Sequence, residues 1–509
     1  MGCLIGLDIG SSGARAIAID LGGKVVAAAT EAYPMATPRP GWTEQEPEDW
    51  WIASRNVLHR VVSESDQPPL ALGLTGQMHG AVFLDQNDHV IRPALLWNDQ
   101  RTERQCQDIT AKVGRERLVQ IAGNPALTGF QAPKILWLRD EEPVAYARLR
   151  RVLLPKDYVR LMLTGDRATD VSDASGTLLL DLRRRRWSEE ILEVLEIPRD
   201  WLPAVHEGPD VTGEITPSAA AATGLPAGLK VVAGGGDNAA AAVGNGVVRP
   251  GIVSSSVGTS GVVFAHSDQP VIDPLGRLHS FCHAVPGAYH VMGVTLSAGA
   301  SLGWWREVAS QDRDYGALAA LAAEAPPGCS GLLFLPYLSG ERTPILDPAA
   351  RGAFVGLNMT HTLAHLTRAV MEGVVHSLKQ CLDLIAGLPL PITEIRATGG
   401  GARNALWLQL QSDIFGMPVY RNVVDEGPAF GAALLAGVAC GAYPSVAEAT
   451  SLVRLAAEVI QPDPARTRLY REYHEVFADL YGSTSRAMPT TLTRWLKVSK
   501  PSETLPKPR

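Results

Sequence analysis

The chain has 509 residues, 46% of them apolar, a formal net charge of −7 and six scattered cysteines. That length exceeds one ordinary core and predicts two large domains, while the apolar share excludes a generally disordered chain. The mixed, slightly acidic charge points away from nucleic acid and toward small-molecule work. With no CxxC pair, Cys3, Cys106, Cys282, Cys329, Cys381 and Cys440 suggest neither disulfides nor zinc, and a reducing, cytoplasmic setting is expected. The start "MGCLIGLDIG" lacks the basic flank and long apolar core of a signal peptide, and no uncharged apolar run reaches membrane-spanning length.

Residues 3–33 read as three antiparallel strands. The alternation in "RAIAID" and the β-branched "KVV" follow a tight turn at Gly10-Ser11-Ser12, and Gly22-Gly23 makes a second turn. "EPEDWWIASRNVLHRVV" puts acids ahead of apolar residues at helical spacing, a helix with a favourable first turn. "LALGLTGQMHGAVFLD" reads as strand, loop and strand, with Met78 and His79 between two glycines. "LLWNDQR" ends an apolar strand in Asn98, Asp99 and Arg101, suited to polyol hydroxyls or to an Asx turn. "VVAGGGDNAAAAVGNG" is a strand, a glycine turn and a helix. Asp237 or Asn238 is expected to cap that helix, and Asp237 is also a candidate base, with the glycines letting a ligand approach.

Near residue 250 a similar order restarts. "GIVSSSVGTSGVVFAH" is a strand, a small-residue turn at Gly258-Thr259-Ser260, and a strand; "YHVMGVTLSAGASLGWWREV" is a strand and a helix. "LPYLSGERTP" offers Glu341 and Arg342, expected to form a fold-stabilising ion pair. "EIRATGGGARNALWLQLQ" places Gly399-Gly400-Gly401 between strand and helix, and "GPAFGAALLAGVACG" reads as a buried small-residue helix. The glycine turn matches neither GxGxxG nor a Walker A loop, so those two nucleotide readings fail. The domain boundary is placed at Val248 to Gly251, giving units 1–248 and 249–482, with the basic, proline-containing stretch 483–509 read as a mobile surface tail.

Either Gly/Ser/Thr turn alone is as well explained by a simple hairpin. Their recurrence one domain apart suggests a phosphate chain gripped from both sides by backbone N–H groups and short hydroxyls. Asp8, two residues ahead of Gly10, is placed to hold a hydrated Mg²⁺ beside those phosphates.

Taken in order, "GLDIGSSGAR", "GQMHG", "LLWNDQR", "LLPKDYVRLMLTG", "SDASGT", "VVAGGGDNAA", "SVGTSGV", "HSFCHAVPG", "FLPYLSGERTP" and "GGGARN" resemble the FGGY carbohydrate kinases over about residues 3–480. The resemblance implies an α/β fold of two actin-like (ribonuclease H-like) domains with an ATP cleft between them. It implies phosphoryl transfer from ATP to D-xylulose, with ribulose, gluconate or glycerol as alternative acceptors. An ATPase module of the actin or heat-shock type is the reading from another class. Carried over by position, Asp237 is the general base, and Asn238, Met78 and His79 join it at the sugar. Asp8 serves the chemistry by organising Mg²⁺ and the phosphates. Ser11, Ser12 and Arg15, with Gly258, Thr259 and Ser260, meet the ATP phosphates, and Gly400, Gly401 and Asn404 the nucleoside. Ser11 stands where the family usually has Thr, and Arg15 where many members have Lys. A small sugar partner, no nucleic acid, no membrane and a homodimer complete the expectation.

Overall fold

The computed structural model describes residues 2–424 and 426–484. Strands β1 (Cys3–Ile9), β2 (Gly13–Asp20) and β3 (Val25–Ala32) pair antiparallel in sequence, as the alternation predicts. Helix α1 (Pro47–Glu64) crosses them and buries Trp50, Val57, Leu58 and Val61. Pro47 sits in its first turn, where a missing N–H costs nothing, and Glu48 and Asp49 face the positive end of the helix. The chain then returns as β4 (Pro69–Gly76), parallel to β1. Helices α2 (Gln131–Glu141), α3 (Pro155–Thr164) and the short α4 (Val171–Ser175) follow. After them come β5 (Val211–Glu214), β6 (Lys230–Val232), β7 (Gly235–Gly236) and α5 (Asp237–Gly244). The sheet order is β5-β6-β4-β1-β2-β3, with β7 paired to β4.

The second half repeats this plan. Its strands are β8 (Gly251–Val257), β9 (Gly261–Ser267), β10 (His279–Cys282) and β11 (Tyr289–Thr295). Helices α6 (Gly299–Ala309) and α7 (Leu363–Ala386) lead to β12 (Ile392–Thr398), α8 (Ala405–Phe415) and β13 (Val419–Arg421). Helices α9 (Gly427–Ala439) and α10 (Pro464–Thr484) close the described chain. The order β10-β11-β9-β8-β12-β13 sets β12 parallel to β8, just as β4 lies parallel to β1. The tips at 10–12 and 258–260 are therefore equivalent hairpin turns of two equivalent sheets.

Helix α9 follows the second sheet in sequence but lies on β1, β4 and α5 of the first half. A Cβ on Gly431 would stand 1.8 Å from the Ala240 carbonyl oxygen, so the seam closes only because no side chain is there. This seam brings the start of α5 against the second half. Ser483 and Thr484, which the sequence reading assigns to the tail, close α10; the remainder of that tail, 485–509, lies outside the described residues. Among the described residues no helix is long and apolar enough to cross a membrane.

Candidate active site

The β1–β2 hairpin, the start of α5 and the ends of β8 and β12 converge on a cavity of about 780 Å³. Asp8, Arg15, Asp237 and Asn238 line it from the first half, and Ser256, Thr398 and Gly400 from the second. The N-cap of α5 is Gly236, and no side chain caps the helix, contrary to the expectation for Asp237 or Asn238. Asp237 already occupies the first helical position, so its carboxylate stays free of the cap. Its Oδ1 instead accepts the backbone N–H of Asn238 at 2.7 Å and its Nδ2–H at 2.8 Å. Of the three glycines ahead of it, Gly234 is required by the fold itself. Its φ is 74°, and a Cβ there would lie 1.7 Å from the Leu74 carbonyl oxygen.

Burial raises the Asp237 carboxyl to about 6, even against the two Asn238 hydrogen bonds that favour its charge. Asp8 stands higher still. Burial first, then the charge of Asp237, push it up to about 7, with Arg15 pulling the other way. Its Oδ1 is buried and takes no hydrogen bond. A buried carboxylate oxygen without a partner, on a residue that lines the cavity, suits a hard cation. Among the described residues no group of three or more His, Cys, Asp or Glu could hold a metal. An ion beside Asp8 would thus complete its shell with water and ligand oxygens, the habit of Mg²⁺.

A second cavity, of about 580 Å³, adjoins the first and shares Gly400 and Arg403 with it. Gly258, Thr259, Gly401 and Asn404 line it, together with Gly299 and Tyr315, which the sequence reading passes over. The small-residue run "SAGASLG" at the head of α6 was the available signal for Gly299. Asn404 caps α8, its Oδ1 accepting Leu406 N–H at 3.0 Å and Trp407 N–H at 3.2 Å, which leaves the amide Nδ2 for a ligand. Ser260 closes the turn through its backbone, accepting Gly258 N–H at 3.0 Å, and does not line either cavity. Ser12 is exposed at the other tip. Ser11 is already engaged: its hydroxyl accepts Trp97 Nε1–H at 2.8 Å and donates to Gln77 Oε1 at 3.3 Å. Arg15 lies 2.6 Å from Glu426, at the head of α9, and donates to Thr30 Oγ1 at 2.7 Å.

Met78 and His79 are buried and line neither cavity. Met78 touches the Asp237 turn: its Sδ lies 3.9 Å from Asn238 Nδ2, and a Cβ on Gly236 would come within 2.8 Å of its Cγ. His79 has a φ of 68°, a conformation that costs a non-glycine residue about 1 kcal/mol or more. Lys134 holds it there, donating from Nζ to the His79 carbonyl at 2.8 Å and to the Gly129 carbonyl at 2.7 Å. Burial brings His79 down to about 3 and Lys134 down to about 7. The neutral imidazole donates Nδ1–H to the Gly176 carbonyl at 2.6 Å, which makes Nε2 an acceptor. Lys134 was not foreseen, although a lysine inside the apolar run "QAPKILWL" is itself a signal.

Of two other expectations, the Asx turn forms at Asp99, whose Oδ1 accepts the Arg101 N–H at 2.9 Å, and the ion pair does not. Asp99 is fully buried and bound to Arg101 and to the Thr43 N–H at 2.7 Å, while Asn98 accepts the Thr43 hydroxyl at 2.7 Å, so this cluster shapes the fold. The Glu341–Arg342 ion pair does not form among the described residues. Glu341 Oε1 accepts the N–H groups of Leu296 at 2.9 Å and Arg342 at 2.7 Å, and both side chains line a separate cavity of about 320 Å³. Burial pushes Glu341 up to about 8, and its Oε2 has no partner.

Comparison with known proteins fits this geometry. Family models described as the N-terminal and C-terminal domains of the FGGY family of carbohydrate kinases match residues 3–244 and 253–440. The xylulose kinase of Escherichia coli (strain K12) is 43% identical over 479 residues, covering 94% of this chain and 98% of that one. The xylulose kinase of Lactococcus lactis subsp. lactis (strain IL1403) is 40% identical over 487 residues, covering 95% and 97%. The crystal structure of a xyloylose kinase from Brucella ovis superposes with a TM-score of 0.89 at 37% identity, covering 95% of this chain and 99% of that one.

Proposed function

We propose that this chain, which belongs to the FGGY family of carbohydrate kinases, transfers the γ-phosphoryl group of ATP to D-xylulose, giving D-xylulose 5-phosphate and ADP. The observation that carries the chemistry is the cavity shared by two unlike carboxylates. Asp237 is braced by Asn238, and Asp8, on the same cavity, keeps a carboxylate oxygen without a hydrogen bond.

In-line phosphoryl transfer asks mainly for positioning and charge compensation. Asp237 takes the proton from the attacking sugar hydroxyl, its Oδ1 held by Asn238 and Oδ2 left for the substrate. Asn238 also meets the sugar, Met78 gives it an apolar wall, and His79 Nε2 accepts from a hydroxyl. The turns carrying Ser11, Ser12 and Arg15, and Gly258, Thr259 and Ser260, cradle the phosphates from both sheets. Arg15 exchanges Glu426 for phosphate oxygens as ATP arrives. Gly400, Gly401 and Asn404 hold the nucleoside end. Mg²⁺, when bound through Asp8, neutralises phosphate charge. Units 1–248 and 249–482 close around the sugar, which keeps water from the γ-phosphate.

The test measures ADP release with D-xylulose, D-ribulose, gluconate and glycerol, and identifies each product. D-xylulose is expected to lead the panel in kcat/KM by about tenfold or more. A clear preference for another polyol overturns the substrate, and ADP release without phosphorylated sugar indicates an ATPase module instead.

A further inference from the structure

The short helix α4 (Val171–Ser175) makes three contacts with the surroundings of the site. Ser172 Oγ accepts the Gly236 N–H at 3.1 Å, one residue before Asp237. Gly176, just past the helix, accepts the His79 Nδ1–H at 2.6 Å. Ser175 Oγ accepts the Cys282 N–H on β10 at 3.1 Å. Behind the helix, Asp170 Oδ1 accepts the N–H groups of Ser172 at 2.7 Å and Asp173 at 3.1 Å, and also the hydroxyl proton of Ser172. With its proton committed to Asp170, the Ser172 oxygen is left to accept from Gly236.

Asp170 is itself anchored. Its Oδ2 lies 2.8 Å from Lys156 Nζ, which also meets Asp157 at 2.6 Å and Asp173 at 3.3 Å. Lys156, Asp157, Asp170, Ser172 and Asp173 are all closed to solvent. Burial pulls the Lys156 ammonium down, but the three carboxylates outweigh it and hold it charged; burial leaves Asp173 well above the usual carboxylate range. A buried cluster of this kind is a poor source of stability, since apolar side chains of similar volume serve as well. It supplies direction instead: a fixed orientation for the Asp170 carboxylate and, through it, for the Ser172 hydroxyl.

Resting on the assignment of Asp237 as the base, we propose that Ser172 and Asp170 are positioning residues for it. Asp170, anchored by Lys156, aims the Ser172 hydroxyl, and Ser172 fixes the Gly236 amide from which Asp237 is presented. Neither touches the substrate. Gly236 has no side chain to pin it, and a base displaced by about 1 Å loses on the order of a hundredfold in rate.

Three variants test this. Ser172→Ala removes the acceptor of the Gly236 N–H. Ser172→Cys keeps the shape of the side chain with a slightly larger atom and accepts weakly. Ser175→Ala removes a buried hydroxyl of the same helix, one that accepts from Cys282 on β10 and donates to the Ser172 carbonyl at 2.7 Å, and leaves the Ser172 side chain and its Gly236 contact in place. Both Ser172 variants are expected to lose about tenfold or more in kcat, with KM for D-xylulose and for ATP within about threefold, and Ser175→Ala to keep kcat within about threefold. Full kcat in the Ser172 variants, an equal loss in Ser175→Ala, or a loss confined to KM overturns the proposal. Failure of Ser172→Cys to fold also does so, by assigning the contact to stability alone. The base assignment fails separately, if Asp237→Asn turns over.

Discussion

Burial and Asn238 oppose each other at Asp237, and the balance holds its carboxyl at about 6. A base acts when deprotonated, so kcat falls as pH drops through about 6 and levels off above it. Asn238→Ala removes a hydrogen bond that favours the charged form, so the falling limb moves to higher pH, which a pH–rate profile will register. Asp8 carries a cost of a different kind. Its folded carboxyl sits at about 7, above the ordinary range near 4, so the stability tied to its proton is present at low pH and lost as pH rises through 7. Asp8→Asn is therefore expected to raise stability by roughly 2 kcal/mol at pH 8 and by little at pH 4, while abolishing transfer. Urea midpoints at the two pH values check the first part and ADP release the second. Both acids were legible from residue type and local motif. Ser172, Lys134 and Glu426 were not, because their roles depend on partners far away in sequence: Gly236, His79 and Arg15.

At the scale of elements, what was local was readable. The hairpins, α1 and α6 follow from alternation and helical spacing, and the two glycine-rich tips fall where the sequence puts them. The cap of α5 was misassigned by one or two residues, a difference that apolar periodicity does not resolve. Nor does periodicity say that α9, after the second sheet in sequence, lies on the first. Its composition gave a hint, since a helix with glycine at 431 and 437 among alanines is built for close approach. Gly431→Ala would drive a methyl into the Ala240 carbonyl, where both neighbours are backbone. The expected loss is roughly 3 kcal/mol or more of unfolding free energy. A fully stable Gly431→Ala enzyme would mean that the α5–α9 seam is looser than the contact implies.

At the scale of the whole molecule, two sheets of the same order place their equivalent hairpin turns around adjoining cavities. The internal repeat carried that architecture in the sequence, and the FGGY family match agrees with it. What the repeat could not carry is the site's asymmetry. The first half supplies both acids and the Met78-His79 loop, whereas the residues that line the neighbouring cavity come from the second. The seam at α5 and α9 joins them just behind Asp237. The account stands or falls on that residue, and the most direct measurement is D-xylulose 5-phosphate formation by Asp237→Asn, alongside calorimetric binding of D-xylulose. Binding within about tenfold of the parent and a rate at least a hundredfold lower, on the order expected for a lost general base, is the predicted result. Product formed at a rate near that of the parent would contradict the account.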